Sequence, residues 1–211
     1  MRKKLTFSTL IAVLMSLLAV TPAMATPVTV GFDDLLTPNP YPLANDFGPL
    51  YAGLSWNGWE VMNQSTYRAV YGDATPLPSP SNFAYLGYDP GETWTVSSTV
   101  PFDFLGAQFA YWPKIGALAA NSVTVTGYLG TNLVGSVTTN QLSTVWAGSG
   151  GISGVDRLVF STSPGSKKYF RMDNFQYESV PEPLTLFLMG TGLVGLGFLK
   201  HRRKTATTNS G

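Results

Sequence analysis

Residues 122–139 read SVTVTGYLGTNLVGSVTT. Apolar and hydroxyl side chains alternate from Val123 to Leu129 and again from Leu133 to Thr138, the period-2 signature of half-buried strands. Between them Gly130-Thr131-Asn132 supplies turn chemistry, so the segment predicts a β-hairpin. Runs of the same character recur at Val28 to Phe32, Leu54 to Val61, Thr93 to Ser97, Gly106 to Trp112, Val155 to Ser161 and Tyr169 to Tyr177. Gly, Pro, Asn and Ser separate them, and no long stretch shows helical periodicity. Eight to ten short strands predict an all-β fold: a single β-sandwich domain of two sheets, jelly-roll-like in its connections. The stretch from Pro38 to Pro90 is dense in Pro and aromatics. It reads as long surface loops with the Leu54–Val61 strand embedded in them, and such loops are where binding concentrates.

Both ends are different in kind. Arg2, Lys3 and Lys4 precede an apolar run from Leu10 to Val20, and Ala23-Met24-Ala25 places small residues where a signal peptidase reads. Cleavage is expected after Ala25, which makes 1–25 a signal peptide. At the other end Val180-Pro181-Glu182-Pro183 precedes an apolar run from Leu184 to Leu199. At 1.5 Å per residue that run makes roughly 24 Å of helix, a little short of the bilayer core of about 30 Å. Snorkelling of Lys200 and local thinning can make up the difference. Lys200, Arg202, Arg203 and Lys204 then form a cytoplasmic stop, and 205–211 is a polar tail. Gly190, Gly192 and Gly195 fit the dinucleotide pattern GxGxxG, but within an apolar span and with no acidic residue after it the fingerprint lacks its context.

Seven of the 13 Lys and Arg belong to these terminal signals. The region between them carries 6 cations against 11 acids, a net charge of about −5. Such a surface is unsuited to nucleic acid, which needs clustered cations. There is no Cys, and the single His is His201 in the tail. A Ser-His-Asp triad, a Cys nucleophile and the usual zinc sites are therefore excluded from residues 26–179. A carboxylate pair is the enzymatic chemistry left open. No acids lie in a recognisable catalytic context, so the domain is expected not to be an enzyme.

The Pro181-Glu182-Pro183 triplet, the Gly-rich apolar span and the basic cluster, in that order over residues 180–204, resemble the PEP-CTERM sorting signal. The resemblance implies recognition by an exosortase, a membrane-embedded transpeptidase-like enzyme that removes the tail near the triplet. It further implies a Gram-negative host that makes extracellular polysaccharide. The exported region, 26–179, has a thinner resemblance of its own. Gly31-Phe-Asp33-Asp34-Leu35, Tyr51-Ala-Gly-Leu-Ser-Trp56, Gly154-Val-Asp-Arg-Leu-Val-Phe160 and Met172-Asp173-Asn174-Phe175 are similar to segments of carbohydrate-binding, galactose-binding-like jelly rolls.

Three acids and three aromatics are the candidate site residues. In jelly rolls of this kind the first and last strands run side by side, which would bring Asp33, Asp34 and Asp173 together. Clustered carboxylates suit a hard cation such as Ca²⁺, and the resemblance implies a structural calcium. The alternative is turn capping, for which Asp and Asn are equally suited. All five Trp and all ten Tyr lie between the two signals, as expected either of a glycan-stacking platform or of an aromatic core. Trp56 and Trp59 lie three apart, so in one strand they face opposite sides. Trp59, Tyr67 and Tyr71 are then the stacking candidates. Asn63-Gln64-Ser65 fits the N-x-S glycosylation pattern, a chance match in this setting.

Together these features predict an exported surface or matrix protein. It would pass through signal peptidase and the export machinery and be held in the inner membrane by its C-terminal helix. Exosortase would then release it to the cell surface as a structural or glycan-binding partner of extracellular polysaccharide. The alternative is a carboxylate-dependent glycan-active enzyme. Replacing Pro181, Glu182 and Pro183 by Ala should leave the protein unprocessed and membrane-bound in its host. Intact-mass measurement of the wild-type surface form decides: a mature chain that still carries Lys200 to Gly211 would refute exosortase processing.

Overall fold

The structure, a computed structural model, describes residues 25–35, 50–72, 75–86, 93–112, 119–143, 145–162 and 169–180. Thr26–Val180 forms one compact unit. Its elements are β1 (Val28–Val30), β2 (Ser55–Asn57), β3 (Trp59–Asn63), α1 (Gln64–Tyr71), β4 (Asn82–Leu86), β5 (Trp94–Tyr111), β6 (Ser122–Leu129), β7 (Asn132–Asn140), β8 (Ala147–Gly148), β9 (Ile152–Thr162) and β10 (Phe170–Ser179). The fold is all-β with one short helix, consistent with a sandwich. The predicted hairpin is present: β6 and β7 pair antiparallel from Ser122↔Asn140 to Leu129↔Asn132.

The strands form one continuous ladder in the order β3-β4-β10-β5-β9-β6-β7, with β1 added to β10, and β2 and β8 added to β5. Residues 93–97 and 106–112, which read as two strands, are joined in the single long β5, from which only Thr93 and Trp112 are left out. It keeps pairing with β9 through register shifts between Ser97 and Phe104. A further shift, between Asp173 and Gln176, interrupts the β10–β5 ladder. Bulges of this kind bend a strand and re-aim its side chains.

Strand alternation places two sets of residues on opposite faces. Phe170, Met172, Phe175 and Tyr177 of β10 join Trp56, Trp59, Phe104, Phe109 and Phe160 in the main core. A smaller cluster holds Met62, Tyr67, Phe83, Tyr85 and Trp112. Helix α1 contributes Tyr67 to it. Asn63 starts α1, accepting from Ser65 N–H at 2.9 Å, and Gly72 (φ +66°) ends it. Asn63-Gln64-Ser65 is thus a helix cap. The reading of 38–90 as loops around one strand missed both α1 and β4. Eight residues show too little periodicity to be told from a loop.

Two of the aromatic assignments need correction. Gly58, at φ +75°, interrupts the segment between Trp56 and Trp59. The two indoles therefore do not face opposite sides. Both enter the main core and meet edge to face, with ring centroids 5.9 Å apart. Trp59 also packs against Phe160 at 4.8 Å and offers no ring to a ligand. Tyr67 is fully buried among Phe83, Trp112 and Arg171. No helix among the described residues is long and apolar enough to cross a membrane, and the expected span 184–199 lies outside them. Truncating a large buried aromatic costs about 3–5 kcal/mol. Trp59→Ala should therefore unfold the isolated domain at markedly lower urea, and a midpoint within error of wild type would refute its core role.

Candidate functional site

The first and last strands pair as expected, Val28↔Tyr177 through Val30↔Phe175. This sets the turn at Phe32–Asp34 beside Asp173. The carboxylates of Asp33 and Asp173 do not touch a common third acid. They meet on Ser79, from the segment before β4. Ser79 donates its N–H to Asp173 Oδ2 at 2.9 Å. Its Oγ lies 2.9 Å from Asp173 Oδ2, 3.0 Å from Gly31 O, 3.2 Å from Asn82 O and 3.3 Å from Asp33 Oδ1. Asp33 Oδ1 also accepts from Ser81 and Asn82 N–H, and Asp173 Oδ1 from Asn174 N–H. Asp34 stands apart, accepting from the Tyr51 hydroxyl at 2.5 Å beside a cleft of about 440 Å³. Burial raises the Tyr51 pKa, and Asp34 raises it further.

The geometry combines both expectations for these acids. Asp33 and Asp173 cap backbone N–H groups, as turn chemistry requires. Yet one hydroxyl proton on Ser79 faces four acceptor oxygens and can satisfy one. The shortage of positive charge in a buried place can be met by a proton or by a cation. Burial pushes the Asp173 carboxyl up to about 6, with the Asp33 charge adding to the rise and hydrogen bonds from Ser79 and Asn174 opposing it. Ca²⁺ takes 6–8 oxygens, and Gly31 O, Asp33 Oδ1, Ser79 Oγ, Asn82 O and Asp173 Oδ2 are five in one place. No group of three His, Cys, Asp or Glu converges among the described residues. Any cation held here would rest on carbonyls and a hydroxyl as much as on carboxylates.

A second site adjoins the first along the chain. Thr75, Pro76, Leu77, Pro78, Gln108, Val145, Trp146 and Asn174 line an open cleft of about 460 Å³. Trp146 donates its indole N–H to Pro76 O at 3.0 Å, while Arg171, fully buried, packs its guanidinium 5.1 Å from the ring centroid. The indole is thus fixed at both its polar edge and one face. Val145 beside it is 70% exposed. Gln108 Oε1 is buried with no hydrogen-bond partner among the described residues, and Asn174 adopts φ +46° within the β10 irregularity. The two sites share their supports: Pro78 precedes Ser79, and Asn174 follows Asp173.

Of the stacking candidates, Trp59 and Tyr67 are core. Tyr71 is half-buried, 5.1 Å from Tyr67 and 5.5 Å from Trp112. Trp146 lines the second cleft, as Tyr51 lines the first, and sequence reasoning did not single it out. The signal was its position outside any alternating run, where a core role is least expected. Val180 donates its N–H to Pro101 O at 3.1 Å, tying down the end of the domain. Ala23, Pro181, Glu182, Pro183, Lys200, Arg202, Arg203 and Lys204 lie outside the described residues.

Residues 179–203 match the family described as the PEP-CTERM protein-sorting motif. The motif indicates an exported surface protein, membrane-anchored before exosortase processing. No curated protein matches the chain. Among solved structures, the chain is similar to the K2 cleaved adhesin domain of Lys-gingipain, with 12% identity over 74% of this chain and 100% of that one and a TM-score of 0.43. A likeness at that level carries no argument about this domain.

The buried carboxyl gives a pH signature. Its folded pKa lies above the ordinary Asp value, so the folded state holds the proton more tightly than the unfolded chain does. The contribution to stability is full below about pH 4 and is lost as pH rises through about 6. Asp173→Asn should destabilise the domain by about 1–3 kcal/mol, because its amide N–H₂ must face a hydrogen-bond donor. The gap between wild type and variant in thermal melts should widen as pH falls from 8 to 5. A gap independent of pH would refute the assignment.

Proposed function

We propose that the exported domain is a glycan-binding component of the cell envelope or extracellular polysaccharide, jelly-roll-like in arrangement, and not an enzyme. The observation that carries this reading is the cleft at Trp146. A sugar presents a flat C–H face and a rim of hydroxyls. An indole locked by Pro76 and Arg171 supplies a ring at little entropic cost. The amides of Gln108 and Asn174, with Thr75, supply donors and acceptors to the rim. A base-poor domain without His suits neutral sugars better than anionic ones. The sorting motif supports the same reading by delivering the domain to the compartment where such polymers accumulate.

A Ca²⁺ among the oxygens around Ser79 fits this reading as a structural element, because it would fix Ser79 and with it the Pro76–Pro78 wall of the cleft. The glycan-active enzyme is the second reading. Asp103 and Glu178 are cross-strand neighbours, but they line neither cleft.

Affinity electrophoresis of residues 26–180 in neutral polysaccharides, with Ca²⁺ or with EDTA, tests the proposal. Retardation by at least one polymer is expected, weakened about tenfold or more by Trp146→Ala (about 1.4 kcal/mol) at a temperature where thermal melts show the variant fully folded. EDTA should lower the melting temperature at pH 7.5, as loss of a ligand specific to the folded state does. Retardation unaffected by Trp146→Ala, or no retardation by any polymer, would overturn the cleft assignment. Polysaccharide turnover abolished by Glu178→Gln would favour the enzyme.

A further inference from the structure

Four exposed apolar side chains gather at one corner of the domain. Ser97, Arg157, Tyr128 and Leu133 form a single row across β5, β9, β6 and β7. Adjacent strands lie about 4.8 Å apart, which puts Leu133 about 14 Å from β5. Just past this row β5 uses residues 98–101 where β9 uses only Asp156, so the four residues bulge out of the ladder. Val100 in the bulge is 43% exposed. Leu133 is 65% exposed, and Leu129 and Val134 beside it are over 40% exposed. Between bulge and hairpin tip, the Arg157 guanidinium lies over the Tyr128 ring, 4.6 Å from its centroid. The Asp103 and Asp156 carboxylates are turned onto the Gly154 and Gly130 N–H groups. The chain leaves the domain at this same corner: Ser179 pairs with Phe102, and Val180 donates its N–H to Pro101 O.

We propose that this corner is the surface on which the domain rests on the bilayer while the chain is anchored. The inference rests on the anchoring that the sorting motif indicates, and it is independent of the glycan reading. The reach of the chain argues for the bilayer as the partner. The apolar run begins at Leu184, four residues after Val180. Four residues span at most about 14 Å, whatever their conformation. The headgroup layer takes up roughly 5–8 Å of that. The surface around Val180 is therefore held within about 10 Å of the headgroups. The side chains there suit that depth. Val100, Leu129, Leu133 and Val134 supply apolar contact, and a tyrosine ring beside an arginine matches the level where aromatic rings and snorkelling cations sit. Asp103, Asp156 and Glu178 lie close by, so attraction to anionic lipid is not the driving force. The tether itself supplies a high local concentration, and the contact needs little affinity of its own. Asn174 lies six residues before Val180, so the Trp146 cleft is clear of this corner.

The chain has no cysteine, so Val100→Cys, Leu133→Cys and Val70→Cys can each carry one environment-sensitive fluorophore. Val70 is exposed to a similar degree as Val100. It lies on α1, which packs through Tyr67 on Arg171, at the far end of β10 from Val180. Residues 26–211 are reconstituted in phosphatidylcholine vesicles, and melting curves confirm that each variant folds. Emission should move to shorter wavelength, and spin-labelled lipid should quench it, at positions 100 and 133 but not at 70. Position 133 decides, because the tether alone brings position 100 near the lipid, whereas only the proposed orientation brings the hairpin tip there. A shift at 100 without one at 133, or equal spectra at all three positions, would overturn the proposal. So would a shift confined to host membranes that contain exosortase, which would make the corner a docking surface for that enzyme. A chain that does not float with the vesicles would overturn the anchoring itself, and this inference with it.

Discussion

Strand β10 is the element on which the rest of this domain depends. Its backbone carries β1 and β4 along parts of one edge and β5 along the other, and both of its faces are buried. Phe170, Met172, Phe175 and Tyr177 belong to the main core, while Arg171 and Asp173 point to the other side. A strand buried on both faces has no solvent side on which to shed polar groups. Each of them must find a partner inside. Arg171 lies among the rings of Tyr67, Phe83 and Trp146. Asp173 captures Ser79. The two polar residues of one central strand thereby determine where α1, the 75–79 segment and Trp146 sit.

With no disulfide available, aromatic packing supplies the rigidity that a cystine would give an exported domain. Trp56, Trp59, Phe104, Phe160 and Phe175 meet one another edge to face or tilted, at centroid distances from 4.8 to 5.9 Å. Such contacts add about 0.5–1.5 kcal/mol per pair beyond area burial. This explains why aromatic density was a poor guide to ligand binding. Most rings in this chain are spent on the interior. The ring that lines the Thr75–Pro78 cleft is held by a backbone carbonyl and a buried cation.

The same economy shapes the oxygen cluster. Asp33 comes from the turn after the first strand and Asp173 from the last strand, 140 positions apart in sequence, and they are joined by a serine in a Pro-rich segment. Nothing local distinguishes Ser79 from the serines around it. Its role follows from β10 placing Asp173 inward one residue before the ladder shifts register. A bulge is a tertiary event, since it exists only relative to a partner strand.

The chain's one-dimensional features settled what can be read from period and order. The alternation in 122–139 gave the β6–β7 hairpin and the all-β class, because a strand's side-chain period of two is written directly into the sequence. The order of triplet, apolar span and basic cluster gave the sorting motif, because that signal is read as a linear segment. The similarity of the first and last strands to paired jelly-roll strands anticipated the approach of Asp33 to Asp173. Tertiary structure alone decided the remainder. It broke the strand at Gly58 and so turned both Trp56 and Trp59 inward. It excluded Asp34 from the cluster and brought in Ser79, and it left Trp146 facing a cleft. Each of these depends on which residues lie opposite one another across strands. That pairing is fixed by burial of the whole core, and no local window of sequence contains it.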